Sequence, residues 1–193
     1  MKDKLEFQYR LADISNENLE QTTFDKKKMI KEISSSDLLS ATLKSQMYVE
    51  RELNDLIEYF MPNVKTISNL KFASKLKLIY ELGILEKYLF DVIYKLNRIR
   101  NEFAHKLNFD EDKDCYEILS DSLSGRIKDL HKIEIKMRKI SHGNLSREEK
   151  YKILLAQIWI ETVIFTSTKE RRKMNFGEKI VKEVELDVKH KYL

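Results

Sequence analysis

The sequence has 193 residues, enough for one domain with a sizeable core, and its 36 basic and 32 acidic residues give a net charge of +4. This mildly basic balance permits contact with nucleic acid but does not require it. Cys115 is the only cysteine, which excludes an intrachain disulfide and fits a reducing compartment. Because no targeting segment is apparent and the apolar run 153–160 is too short to span a bilayer, we expect a cytoplasmic protein without membrane contact.

The composition favours helices, since the chain has only 4 glycines and 1 proline. Apolar and polar residues alternate with the period of a strand within residues 1–14 and again within 180–190. We therefore predict a single mainly α domain over residues 1–193. A helical body spans residues 24–175, and the two terminal strands form a small two-stranded element, paired within the chain or across a dimer.

The first helices are predicted over residues 24–33 and 38–60. Asp37 is the expected N-cap of the longer helix, and Pro62 follows its end. The apolar positions of this helix recur at helical spacing and predict its core side. They are Leu39, Leu43, Val49, Leu53, Leu56, Ile57 and Phe60.

Three further helices are predicted on either side of a central one. A helix over residues 70–82 is expected to end at Gly83 in the left-handed conformation. Beyond an acidic loop, one helix is expected to run over residues 115–140, weakened locally by Gly125. Ser146 and Glu149 have the spacing of a capping box that begins the last long helix.

The central helix is predicted over residues 85–107, where apolar residues recur at steps of three and four. Arg100 falls within this apolar stripe, about 20° from the position of Ile93. Its guanidinium cannot lose its charge there, so it needs a partner or a ligand. Asn101 and His105 are four residues apart and share another face, which Asn97 extends backward.

Two segments resemble known families. Residues 75–84, KLKLIYELGI, resemble the signature of the mannitol operon repressor family, and Arg100, Asn101 and His105 match the motif of the related HEPN superfamily. The resemblance implies a HEPN-like helical bundle that commonly dimerises. It also implies one of two functions: a metal-independent endoribonuclease, as in many toxins and antiviral effectors, or a non-enzymatic transcriptional regulator. The tyrosine that many HEPN toxins place two residues after the histidine is replaced by Leu107.

The chemistry of these residue types suits RNA cleavage. Histidine can move protons near neutral pH, and arginine can hold phosphate oxygens. We therefore predict Arg100, Asn101 and His105 as catalytic residues of an endoribonuclease acting on RNA as a dimer. Three cations near the motif are predicted to bind substrate: Lys95, Arg98 and Lys106. No cofactor or metal is expected, because no histidine or cysteine pair has the spacing of a metal site.

Less specific interpretations remain open at this point. In the alternative interpretation, Arg100 forms an ion pair with an acid such as Asp91, and His105 caps the helix C-terminus. The protein would then be a regulator or an interaction module that binds protein partners or DNA. If the protein is instead a toxin, its expected partner is an antitoxin or a regulatory protein. The tyrosines and Trp159 are interpreted as core or interface packing.

Overall fold

The computed structural model describes residues 26–62, 67, 69–105 and 115–167, which are mainly helical. The described helices are α1 (Lys26–Ser35), α2 (Leu38–Phe60), α3 (Phe72–Glu81), α4 (Lys87–His105), α5 (Cys115–Ser120), α6 (Gly125–His142) and α7 (Arg147–Ser167). These ranges contain no strand, and the predicted strands at 1–14 and 180–190 lie outside them. Within the same ranges, no helix combines the length and apolar character that crossing a bilayer requires.

The core is centred on α2 and α7, which contact each other more extensively than any other pair of described helices. Trp159 of α7 is buried against the ring of Tyr48, with 5.8 Å between the ring centroids. The hydroxyls of Thr42 and Tyr151 also bridge the two helices at 2.9 Å. Helix α1 contacts both members of this pair, and α4 contacts both from another direction.

The predicted helix ends are confirmed where a side chain or a backbone angle defines them. Asp37 accepts a hydrogen bond from the backbone N–H of Ser40 at 2.8 Å, as expected of an N-cap. Ser146 and Glu149 form the reciprocal bonds of a capping box before α7, at 2.7 and 3.1 Å. Gly83 has a φ of 69° directly after α3, a conformation in which glycine is favoured.

The prediction of a single helix over residues 115–140 is wrong. The chain forms the short helix α5, a turn, and then α6, which begins at Gly125. Gly125 has a φ of 54°, which a continuous right-handed helix cannot accommodate, so the chain changes direction there. The sequence analysis treated this glycine as a local weakness instead of a boundary.

The predicted core side of α2 is largely confirmed. Val49, Leu53, Leu56 and Ile57 are buried, whereas Leu39 is 40% exposed. The prediction is wrong for Leu39, which lies in the first turn of α2 after the N-cap Asp37.

We expect the stability of the folded protein to depend on pH, because one carboxylate in this core is buried. Glu52 is buried and accepts a hydrogen bond from the Thr166 hydroxyl at 3.1 Å. Burial raises the pKa of Glu52 above its usual value, and the bond from Thr166 opposes the shift. The folded state therefore holds this proton more tightly than the unfolded state, so the contribution of Glu52 to stability falls as the pH rises above about 4.5.

We expect Glu52→Gln to raise the urea midpoint of unfolding at pH 7, because glutamine cannot ionise and still offers an oxygen to Thr166. The difference in urea midpoint between the variant and the wild type should be smaller at pH 4 than at pH 7. Urea titrations followed by circular dichroism at both pH values measure this difference. A gain of equal size at pH 7 and pH 4 would contradict the assignment to ionisation.

Candidate functional site

The end of α4 is held in place by the apolar face of the same helix. This face packs against α2, α3 and α7, and its members are buried as the periodicity predicted. They are Leu89, Val92, Ile93, Leu96 and Ile99. Because this face is fixed in the core, the polar residues in the last two turns of α4 have defined positions on the bundle.

Arg100 is half-buried, and its Nη1 donates a hydrogen bond to Asn101 Oδ1 at 3.0 Å. No carboxylate of the described residues lies within ion-pair distance of its guanidinium. Asp91, the acid considered as its partner, instead accepts two hydrogen bonds from Lys87 Nζ, at 2.8 and 3.1 Å. Since a guanidinium carries five N–H donors, most of the donors of Arg100 are not used by that bond.

Asn97 lies one turn before this pair and points into the protein. It is 6% exposed, and its Oδ1 accepts a hydrogen bond from Gln46 Nε2 of α2 at 3.1 Å. Gln46 Oε1 is buried without a hydrogen-bond partner among the described residues. Asn97 therefore links α4 to α2, and it is not part of an open polar face with Asn101.

Gln46 is not among the site residues predicted from the sequence. A usable signal was present, because Gln46 occupies a position within the apolar stripe of α2, between Leu43 and Val49. A polar residue at such a position must find a hydrogen-bond partner inside the protein.

The other predicted site residues are only partly described. Arg98 is exposed and Lys95 is half-buried, both on α4. His105 is the last residue of α4, and its side chain and all of Lys106 lie outside the described part of the structure. The structure thus brings Arg100 and Asn101 together, whereas the contribution of His105 stays a prediction.

An aromatic stack that the sequence analysis did not separate from core packing lies on the outer side of α4. The rings of Tyr80 and Phe90 stack with 4.2 Å between their centroids, and Phe90 stacks on Tyr94 at 5.8 Å. Tyr94 is 45% exposed and so does not belong to the core, whereas Tyr48 is buried. The other expectation for Tyr94, packing at an interface, stays a prediction. At 100° per residue, Tyr94 and Asn101 lie within about 20° of each other on α4.

The amide pair of Gln46 and Asn97 gives a testable energetic prediction. We expect Gln46→Ala to lower the free energy of unfolding by about 1–3 kcal/mol, because it leaves the buried Asn97 amide without its partner. The double variant Gln46→Leu with Asn97→Leu should recover most of this loss, since neither position then buries a polar group. Urea unfolding of the single and double variants measures the two changes. A double variant that is no more stable than Gln46→Ala would show that the two amides do not act as a pair.

No group of three or more histidine, cysteine or acidic side chains in the described part of the chain is placed to hold a metal ion. The thiol of Cys115 is buried.

No protein-family model, curated protein or solved structure matches this chain. The arrangement that bears on function is a half-buried arginine at the end of α4, hydrogen-bonded to the neighbouring asparagine and carrying unused donors.

Proposed function

We propose that the protein is a metal-independent endoribonuclease of the HEPN type, acting as a dimer in a toxin or antiviral defence system. The catalytic residues are Arg100, Asn101 and His105, and Lys95, Arg98 and Lys106 bind the RNA backbone. The observation that carries the proposal is the state of Arg100, which keeps unused hydrogen-bond donors and has no acidic partner among the described residues.

The state of Arg100 supports an anionic ligand for a physical reason. A guanidinium that is partly removed from water is costly unless its charge and its donors are satisfied. Asn101 Oδ1 supplies one acceptor but no negative charge. A phosphate group supplies both charge and several acceptor oxygens, and its geometry suits bidentate hydrogen bonds from arginine.

The proposed reaction needs two proton transfers and one cation. A histidine removes the proton from a ribose 2′-hydroxyl, and that oxygen attacks the adjacent phosphorus. The bond to the 5′ oxygen breaks, a second acid protonates the leaving oxygen, and the products are a 2′,3′-cyclic phosphate and a free 5′-hydroxyl. Arg100 stabilises the charge that develops on the phosphoryl oxygens, and Asn101 orients Arg100 through the bond at 3.0 Å.

A dimer follows from the same chemistry. One copy of α4 supplies one histidine of the motif, whereas the reaction uses an acid and a base. Two copies whose α4 helices meet would supply one histidine for each role. Size-exclusion chromatography with light scattering tests this requirement directly.

The aromatic stack supports single-stranded RNA as the substrate. Exposed aromatic rings bind unpaired bases by stacking, whereas the bases of a duplex are already stacked on each other. We expect Tyr94→Ala to weaken binding of a single-stranded RNA about tenfold, since stacking contributes roughly 1–3 kcal/mol per base.

Fluorescence anisotropy with a labelled RNA measures the effect of Tyr94→Ala. Tyr94→Phe should bind nearly as the wild type does because it keeps the ring. Met47→Ala is the matched control, because Met47 is an exposed apolar residue of α2 outside the stack. Equal affinities for wild type and Tyr94→Ala would show that the aromatic stack does not contribute to RNA binding.

The proposed activity is tested by incubating the purified protein with total RNA in excess EDTA. Cleavage that persists in EDTA and leaves 2′,3′-cyclic phosphate ends is the expected result. Cleavage that disappears with EDTA would contradict the metal-independent mechanism. Salt-sensitive binding to duplex DNA with sequence preference, without RNA cleavage, would favour the regulator that the mannitol operon repressor resemblance implies.

A further inference from the structure

A cavity of about 520 Å³ lies on the side of α7 that faces away from α2. Its floor is formed by apolar residues of α7, among them Ile153, Ala156 and Ile160, and it is closed laterally by Ile30 of α1 and Leu130 of α6. The volume lies within the range of about 300–1,000 Å³ that is typical of small-molecule sites.

The apolar residues of α7 that line the cavity are only half-buried. The opposite face of α7 carries Leu155, Ile158 and Trp159, which are buried in the core. Helix α7 is therefore apolar on two sides, and a helix of this kind is normally covered all round. The half-buried side is the cavity floor.

Glu161 places a carboxylate in the wall of this cavity. The residue is 3% exposed, and among the described residues it forms an ion pair with Arg126 but accepts no hydrogen bond of ordinary length. Its nearest cation is Arg126, whose Nε lies 3.6 Å from Glu161 Oε1, beyond ordinary hydrogen-bond length. The side chain of Arg126 is itself 48% exposed, so water shares its charge.

The remaining charged groups around the cavity already have partners. Arg138 Nε donates to Glu134 Oε1 at 2.6 Å, and Lys152 Nζ lies 2.7 Å from Glu148 Oε1. Glu149 accepts a hydrogen bond from the backbone N–H of Ser146. Glu161 therefore differs from its neighbours in being the deeply buried acid without a hydrogen-bond donor among the described residues.

We propose that this cavity binds a small molecule with an apolar body and an amine head, whose ammonium group donates hydrogen bonds to Glu161. The apolar body covers the half-buried apolar face of α7, and the ammonium group supplies the hydrogen-bond donors that Arg126, at 3.6 Å, does not provide. Hydrogen bonds between an ammonium and a carboxylate are stronger than those between neutral groups, so the head group decides the selectivity. The proposal is independent of the endoribonuclease activity.

Three probes with the same apolar body and different heads test the proposal: 4-phenylbutylamine, 4-phenylbutanol and 4-phenylbutyrate. Isothermal titration calorimetry on the full chain measures the dissociation constant of each. We expect the amine to bind at least about tenfold more tightly than the alcohol, and the carboxylate to bind most weakly. Equal binding of amine and alcohol, or no binding of any probe, would overturn the proposal.

Variants separate the role of the head group from that of the cavity. Glu161→Gln should reduce the ratio of amine to alcohol affinity towards one. Glu148→Gln should leave this ratio unchanged, because Glu148 lies at the rim of the cavity and is paired with Lys152. Ala156→Phe fills the cavity and should weaken all three probes, with Ile160→Phe as the substitute if the first variant does not fold by circular dichroism.

Two further outcomes would count against an amine site. A preference for the amine that survives Glu161→Gln would place the ammonium elsewhere. A change in the molar mass of the protein on Ala156→Phe, measured by light scattering, would show that a second copy of the chain covers this face.

Discussion

Replacing His105 with alanine is expected to reduce RNA cleavage by about 10²–10⁴-fold, which is the usual contribution of a general acid or base. Arg100→Ala should reduce it by a similar factor, because removing one group that stabilises transition-state charge costs about 10²–10³-fold. Both losses should appear in kcat, since the groups act on the reacting atoms. A fluorescent RNA substrate in EDTA, with single-turnover rates, measures them.

The controls for this experiment come from the same helix. Lys87→Ala removes an exposed cation whose partner is Asp91, and it should leave cleavage unchanged. Arg100→Lys keeps the charge but loses the planar donor set, so it should recover only part of the lost rate. If His105→Ala cleaves RNA at the rate of the wild type while remaining folded, the enzyme proposal fails, and a regulator or an interaction module is then favoured.

Replacing Trp159 with alanine is expected to lower the free energy of unfolding by about 3–5 kcal/mol. Trp159 is 1% exposed and packs against Tyr48 at the contact between α2 and α7, the centre of the bundle. Its removal leaves a large cavity, because the surrounding helices are connected to one another and can close it only in part. Stabilities of single domains are about 5–15 kcal/mol, so this loss is a large share of the total.

Leu39→Ala is the matched control for Trp159→Ala. Leu39 belongs to the apolar pattern of α2, but it is 40% exposed, so its truncation should cost less than about 1 kcal/mol. Urea unfolding followed by far-ultraviolet circular dichroism suits both variants, since Trp159 is the single tryptophan and its fluorescence is lost with the substitution. Losses of similar size for the two variants would contradict the assignment of the core to the contact between α2 and α7.

The local features of the fold could be predicted because they depend on neighbours in the sequence. The Asp37 cap and the capping box of Ser146 and Glu149 need residues three positions apart and no others. The buried face of α4 follows from periodicity alone. The wrong prediction of a continuous helix through Gly125 also concerns a local feature. A glycine can either weaken a helix or end it, and composition does not distinguish these two effects.

The candidate site could be predicted only in part. The sequence placed Arg100 within the apolar stripe of α4, and the structure places it half-buried beside Asn101. The pairing of Asp91 with Lys87 instead of Arg100 depends on which face each side chain occupies in three dimensions. The hydrogen bond from Gln46 to Asn97 joins residues far apart in the chain, and no spacing rule relates them.

The sequence by itself determined the helical character of the chain, most of its helix ends and the presence of a cation, an amide and an imidazole at the end of one helix. Those properties follow from backbone propensity and from contacts within one or two turns. Only the tertiary structure decided which apolar residues are covered, which acid pairs with which base, and that Glu161 lies buried in the wall of an apolar cavity. Burial and charge pairing are properties of groups that meet in space, and segments distant in the chain supply those groups.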